Sequence, residues 1–348
     1  GFMVACGEIG DREEAAGIAD QIGAIFRAPF HTDEREVSVR GFVGIAAFPE
    51  DGVTPADLHR ASDTAMNAAR LSGSTSWAFF EREMTVTARA RLELANDLKE
   101  ALQAGNVTAA FQPIVRTADA TIVAFEALAR WEHPVRGAVA PAMFIPVAES
   151  SGLIQALDES IRRQAFAWLR RCHDRGHPEL RLHVNVSPLF LRASSVEILL
   201  AEAAHAGVAP DRIVLEITEG ALIDRVGSAF QALQDLSQAG FVLAVDDFGT
   251  GYSSLSYLGN LPFSEIKIDT SFIEDLAEER GRAVVETTAD LARRLGYRVV
   301  QEGVETPEQL AYVRECRIEE WQGFLAGHPL PGDEAFVMLP RRPAPAVR

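Results

Sequence analysis

Phe241-Val242-Leu243-Ala244-Val245-Asp246-Asp247, followed by Phe248-Gly249-Thr250-Gly251, is the stretch on which the fold turns. A short apolar run bounded by glycines reads as a buried strand. It ends in two adjacent carboxylates. Successive strand side chains point to opposite faces, so Asp246 and Asp247 can serve one site only if the strand stops there and the chain turns. The Phe248–Gly251 segment supplies that turn.

The same plan recurs on both sides of this stretch. Short apolar runs cover Ala110–Val115, Thr121–Trp131, Leu182–Val186, Ile213–Thr218, Phe241–Asp246, Glu265–Ile268, Arg298–Gln301 and Trp321–Leu325, most of them separated by helical segments. Eight strands alternating with helices predict an α/β fold, a TIM-like (β/α)8 barrel of parallel strands over residues 106–335. A doubly wound open sheet is the alternative, because a strand count does not prove closure.

Chemistry gathers where these runs end. The second run carries Glu126 and Arg130, the third Asn185, the fourth Glu216 with Glu219 just past it. The fifth ends in Asp246 and Asp247, the sixth in Lys267 and Asp269, the seventh runs into Glu302 and Glu305, and the eighth holds Gln322. In a parallel barrel those ends share one mouth, where such folds place their active sites. So many like charges in one partly desolvated place require counter-charge, and oxygen ligands of this kind suit Mg2+ or Mn2+. Two such ions are the usual device for attack on a phosphodiester.

The composition agrees. The chain has 348 residues and a formal net charge of −17, which excludes a protein that grips long nucleic acid through its phosphates. Cys6, Cys172 and Cys316 are widely spaced, so neither a disulfide framework nor a zinc knuckle is expected. No apolar run is long enough for a membrane helix, and Gly1–Gly10 lacks the marks of a signal peptide. A cytoplasmic domain without membrane contact is the expectation, any anchor belonging to a longer parent protein.

Glu126-Ala127-Leu128 followed by Arg130-Trp131 resembles the signature of EAL-domain cyclic di-GMP phosphodiesterases. The family's further marks follow in order: Phe111-Gln112-Pro113-Ile114-Val115, Phe144-Ile145-Pro146-Val147-Ala148-Glu149, Val184-Asn185-Val186-Ser187, Leu215-Glu216-Ile217-Thr218-Glu219, Asp246 through Leu255, Lys267-Ile268-Asp269, Glu302-Gly303-Val304-Glu305 and Gln322-Gly323-Phe324. The resemblance implies hydrolysis of cyclic di-GMP to linear pGpG in bacterial signalling, with two Mg2+ or Mn2+ per site. By the same resemblance, Glu126, Asn185, Glu216 and Asp246 hold one metal, and Asp246, Asp247 and Glu302 bear on the second. Lys267 sits beside the attacking water, with Glu302 the usual candidate for general base. Arg130 reaches a substrate phosphate, Gln322, Gln112 and Asp269 line the substrate, and Glu219 and Glu305 support the loops, Glu219 steadying the one that couples the site to a homodimer interface. Phe111 stands where Tyr is usual, and Gln301 stands where Ala is usual, next to Glu302.

Residues 1–80 read as strand, helix, strand, helix, strand, beginning with Phe2–Ala5, with a helix over Glu13–Phe26 and another opened by Thr54-Pro55 and closed by Gly73. They resemble the C-terminal part of a GGDEF (diguanylate cyclase-like) domain, marked by Val43-Gly44-Ile45-Ala46 and Ala61 through Met66. Its signature turn is absent from the chain. A linker helix is expected over 81–105, with Leu94, Leu98, Ala101 and Leu102 on one face and Gly105 as its stop, and a disordered tail over 336–348. The competing functional reading is a receptor that binds cyclic di-GMP without cleaving it and signals through the partial N-terminal domain. A generic metal-dependent barrel lyase is the third.

Overall fold

The computed structural model describes residues 1–340 apart from 27, 29, 32–35, 38, 73–75, 193, 221–227, 251–260, 275, 277 and 278. Gly73 and the Gly251–Leu255 part of the family signature therefore lie outside the described residues. The chain divides into two compact units, Gly1–Asn96 and Asp97–Arg348. Among the described residues no helix is long and apolar enough to cross a membrane.

In the first unit a helix over Arg12–Ile25 is capped by Asp11, whose carboxylate accepts the Glu14 N–H. Strands β1 (Phe30–His31) and β2 (Glu36–Val37) pair antiparallel. Strands β3 (Val43–Ile45) and β4 (Trp77–Phe79) pair parallel on either side of a helix over Pro55–Ser72 in the chain. Thr54 Oγ1 accepts the Asp57 N–H at 3.2 Å and starts that helix, and Ala61, Ala65 and Ala69 form its buried stripe. Gly44 has no room for a Cβ beside the Ser62 carbonyl, so helix and strand meet backbone to backbone. The expected strand at Phe2–Ala5 does not form. No described strand pairs with it, and Phe2, Met3 and Val4 stay exposed.

A helix over Arg82–Ala104 leads to the second unit, and Gly105, in the left-handed region at φ 75°, ends it. The barrel follows as β5 (Val107–Arg116), β6 (Ile122–His133), β8 (Arg181–Asn185), β9 (Ile213–Thr218), β10 (Val242–Phe248), β11 (Glu265–Ile268), β12 (Arg298–Gln301) and β13 (Glu320–Gln322). The short β7 (Gly137–Val139) pairs with the outer half of β6, and β14 (Leu330–Pro331) with β5. The eight barrel strands close on themselves, because β5 pairs with β6 on one side and β13 on the other. An open sheet is thereby excluded.

One expectation is corrected. Barrel strands β6 and β8 through β13 run parallel, but β5 is antiparallel to both its barrel neighbours. The reason is the turn between β5 and β6. Arg116 N–H bonds the Thr121 carbonyl at 2.8 Å, leaving too few residues for a crossover, so the chain can only double back. The parallel strands are buried on both faces, and β9 reads as an apolar run, Ile213 to Ile217, interrupted only by Glu216. Helix Ile154–Asp174 covers β5 and β6 through Trp168, which stacks on Phe111 at 4.0 Å and meets Phe125 edge-on. A last helix spans Gly332–Val337, so the segment expected to be disordered from residue 336 is helical in its first two residues. Residues 341–348 lie outside the description.

Candidate active site

Lys267, third residue of β11 and 1% exposed, is the centre of the site. Its Nζ lies 2.8 Å from Glu216 Oε1, 2.8 Å from Glu302 Oε1, 3.1 Å from Asp246 Oδ1 and 3.3 Å from Glu126 Oε2. Four carboxylates from β6, β9, β10 and the residue after β12 thus surround one ammonium. Burial works against the charged lysine, but Asp246, Glu126, Glu216 and Glu302 outweigh it and hold its pKa well above the usual lysine value.

Asp247 joins the group by a backbone device. Within β10 it takes φ 53°, and the β10–β11 register shifts between Val245 and Phe248. An Asp tolerates this left-handed conformation better than most residues. The bulge cancels strand alternation, so Asp246, Asp247 and Glu302 each bring a carboxylate oxygen within 4.8 Å of the others. The two adjacent acids share one site because the strand bulges at Asp247, two residues before Gly249. Gly249 then turns the chain at φ 100°, where a Cβ would lie 2.8 Å from the Phe272 ring.

The remaining polar groups orient Glu126. Asn185 Nδ2 donates to Glu126 Oε1 at 3.0 Å, and Gln322 Nε2 donates to Glu126 Oε2 at 2.7 Å and to Gln112 Oε1 at 3.0 Å. Gln112 in turn donates to the Gly327 carbonyl. Burial raises the pKa of Glu126, but Lys267, Gln322 and Asn185 bring it below the usual carboxylate value. Glu216 goes the other way, lifted well above that value by burial and then by Glu126. Burial pushes Glu302 up to about 8 against the pull of Lys267, and burial with Asp246 and Asp269 pushes Asp247 up to about 6.

Glu126, Glu216, Asp246, Asp247 and Glu302 are opposed by Lys267 and, half-buried on β6, by Arg130. That excess of acid fits a cation. Glu216 Oε2 is buried with no hydrogen-bond donor, and Asp246 Oδ1 faces Lys267 without a formed hydrogen bond. An all-oxygen donor set with unmet acceptors is the chemistry of a hard divalent ion.

Other expected residues are placed at the margin. Arg130 donates to the Ala129 carbonyl at 2.8 Å. Asp269 accepts from the Ser271 N–H at 3.0 Å and from the Ser271 hydroxyl, capping the short helix Ser271–Glu274. Glu219 is buried and accepts the Gly249 N–H at 3.0 Å. Glu305 is exposed, and its N–H donates to Gln309, whose own N–H is accepted by Thr306 in a capping box. Gln301 is buried outside the group, its amide bonding the Glu302 carbonyl at 3.0 Å.

Beneath the rim lies a polar layer that the sequence reading passed over. His183 is fully buried, with Nδ1 2.8 Å from Glu216 Oε1 and Nε2 3.5 Å from Glu265 Oε1. Arg181 reaches Glu265 at 3.2 Å and Glu320 at 2.6 Å, and Arg298 reaches Glu265 at 2.8 Å. The signal was present: His183, Glu265 and Glu320 stand two residues before Asn185, Lys267 and Gln322, hence on the same strand face.

Residues 95–329, about two thirds of the chain, match the EAL domain family. The chain belongs to that family. Among EAL relatives, MucR of Pseudomonas aeruginosa, a bifunctional diguanylate cyclase/cyclic di-GMP phosphodiesterase, is 35% identical over 328 residues, which is 94% of this chain and 48% of MucR. NbdA of the same organism, a cyclic di-GMP phosphodiesterase, is 37% identical over 320 residues, 91% of this chain and 41% of NbdA. The solved PaMucR phosphodiesterase in complex with c-di-GMP superposes with a TM-score of 0.68 at 36% identity, covering 70% of this chain and 99% of that one. The chain thus spans less than half the length of these curated relatives.

Proposed function

We propose that this EAL barrel is a divalent-metal-dependent phosphodiesterase that hydrolyses cyclic di-GMP to linear pGpG. The observation that supports it most is the gathering of Glu126, Glu216, Asp246, Asp247 and Glu302 around the single ammonium of Lys267. The naming of MucR and NbdA, and the bound c-di-GMP in the PaMucR structure, support the choice of substrate.

Glu126, Asn185, Glu216 and Asp246 would hold one Mg2+ or Mn2+, and Asp246, Asp247 and Glu302 a second. Bound there, such ions polarise a water and neutralise charge on the scissile phosphodiester. Glu302, a carboxyl whose burial keeps it avid for a proton, is the base candidate at the rim. Lys267 keeps a fixed positive charge 2.8 Å from it and steadies negative charge as it develops. Gln322, Gln112 and Asn185 hold Glu126 in one orientation. Arg130, Gln322, Gln112 and Asp269 meet the dinucleotide.

The test is to incubate the purified chain with cyclic di-GMP and Mg2+ or Mn2+ and follow the linear product, beside Glu126→Ala and a chelator control. Product only in the metal-loaded wild type is expected. No product in either metal from folded protein would refute the reading, as would undiminished activity in Glu126→Ala. Calorimetry separates the receptor alternative, since turnover gives continuing heat and binding does not.

The same reading extends to the rest of the chain. The match to MucR spans 94% of the chain whereas the EAL match begins at residue 95, which supports residues 1–80 as part of a GGDEF-like domain, joined by a linker helix over 81–105. A homodimer through the barrel and a cytoplasmic location complete the proposal; sedimentation equilibrium tests the dimer.

A further inference from the structure

We infer that His183 is a positioning residue for Glu216 and thereby sets how tightly the rim holds a divalent cation. The inference rests on the metal-dependent reading above and adds to it a residue that touches neither substrate nor metal.

Three observations converge on it. First, Glu216 Oε1 faces two nitrogens, Nδ1 of His183 at 2.8 Å and Nζ of Lys267 at 2.8 Å, whereas Oε2 is buried with no donor. With Glu216 ionised, as cation ligation requires, its oxygens can only accept, and the imidazole donates from Nδ1. One oxygen is saturated and the other is left with unmet acceptor capacity. A carboxylate fixed in that way has one oxygen free for a cation and cannot swing to offer the other.

Second, Lys267 cannot do this alone. Its ammonium has three N–H groups and stands among four carboxylates, so its bond to Glu216 competes with Glu126, Asp246 and Glu302. Among the described residues, by contrast, Nδ1 of His183 meets no carboxylate other than Glu216. It is the donor that singles out this ligand.

Third, the imidazole is enclosed from below. Its Nε2 faces Glu265 Oε1 at 3.5 Å without a hydrogen bond, which leaves Nδ1 as the ring nitrogen that is bonded, and the other oxygen of Glu265 takes Arg181 at 3.2 Å and Arg298 at 2.8 Å. Arg181 continues to Glu320 at 2.6 Å. The ring therefore sits between a ligand carboxylate and an ionic lattice drawn from four strands, and it is 0% exposed. Groups that orient metal ligands in this manner typically change metal affinity by about ten- to a hundredfold when removed. A histidine that merely filled the core would change melting and leave cation affinity alone.

The experiment measures Mn2+ binding without substrate, by the electron paramagnetic resonance signal of the free ion, on folded wild type, His183→Asn, His183→Gln and His183→Leu. Asparagine places an amide N–H near the Nδ1 position and glutamine near Nε2. Wild type and His183→Asn should bind Mn2+ within about threefold of each other, while His183→Gln and His183→Leu lose about ten- to a hundredfold. The Mn2+ concentration for half-maximal turnover should rise in the same rank. Melting temperatures in chelator should not follow that rank. Wild-type Mn2+ affinity in the leucine and glutamine variants, or equal loss in asparagine and glutamine, overturns the inference. If His183→Leu fails to fold, the asparagine–glutamine pair decides alone. Absence of Mn2+ binding in the wild type would instead bring down the metal-dependent reading, and this inference with it.

Discussion

Glu219, one residue past β9, accepts the backbone N–H of Gly249, one residue past β10, at 3.0 Å. A buried carboxylate on one strand end thereby fixes the turn that follows Asp246 and Asp247 on the next. Glu219→Ala should leave that N–H without its charged acceptor, a loss of about 1.5–3 kcal/mol. Turnover should fall at least about tenfold, with Glu219→Gln less affected because an amide oxygen can still accept. Steady-state kinetics on both variants checks this.

Lys267→Met removes the ammonium from among four carboxylates. Uncompensated buried charge costs about 3–5 kcal/mol, so the variant should melt well below wild type in chelator. Added Mn2+ should recover part of that loss while activity stays absent. Scanning calorimetry with and without the ion reads both arms.

Stability should depend on pH in a direction set by Glu302. Burial holds its pKa up to about 8 in the folded chain, against a usual 4.5, so the folded state keeps a proton that the unfolded chain has lost. Stability linked to this group is full below pH 4.5 and is lost as pH rises through about 8. His183, lowered by burial to about 3 from 6.5, acts oppositely, but only below pH 6.5. In chelator, melting temperature should therefore decline from pH 6.5 to 9; saturating Mn2+ should flatten that decline, because a bound cation removes the demand for the proton.

Arg181→Met breaks the lattice from one side, leaving Glu265 and Glu320 to share Arg298. Removing one partner of a buried ion pair costs about 3–5 kcal/mol. Urea unfolding should show a loss of that size with an unchanged denaturant slope.

Much of this was legible in the residues. Each of the eight barrel strands overlaps one of the apolar runs, the last only at Trp321 and Gln322 of the expected Trp321–Leu325, and Glu126, Asn185, Glu216, Asp246, Lys267, Glu302 and Gln322 converge as their strand-end positions implied. The direction of β5 was not legible from its own apolar run, because direction is set by the length of the turn after Arg116. The pairing of Asp246 with Asp247 depends on a positive φ inside a strand, which no periodicity reveals. Glu265 reads as a strand start and Glu320 falls just before the run at Trp321, and only their spacing of two from Lys267 and Gln322 betrays that they point inward. Phe2–Ala5 shows the converse: an apolar run becomes a strand only where a partner supplies the ladder.

The lattice of Arg181, Arg298, Glu265 and Glu320 sets two positive groups against two negative ones and occupies the lower end of the barrel. The barrel is accordingly a cup and not a pipe. A ligand held at its lip arrives and departs by one opening, so one occupant must vacate before its successor can dock, and the speed of that departure bounds how fast the cup can be refilled.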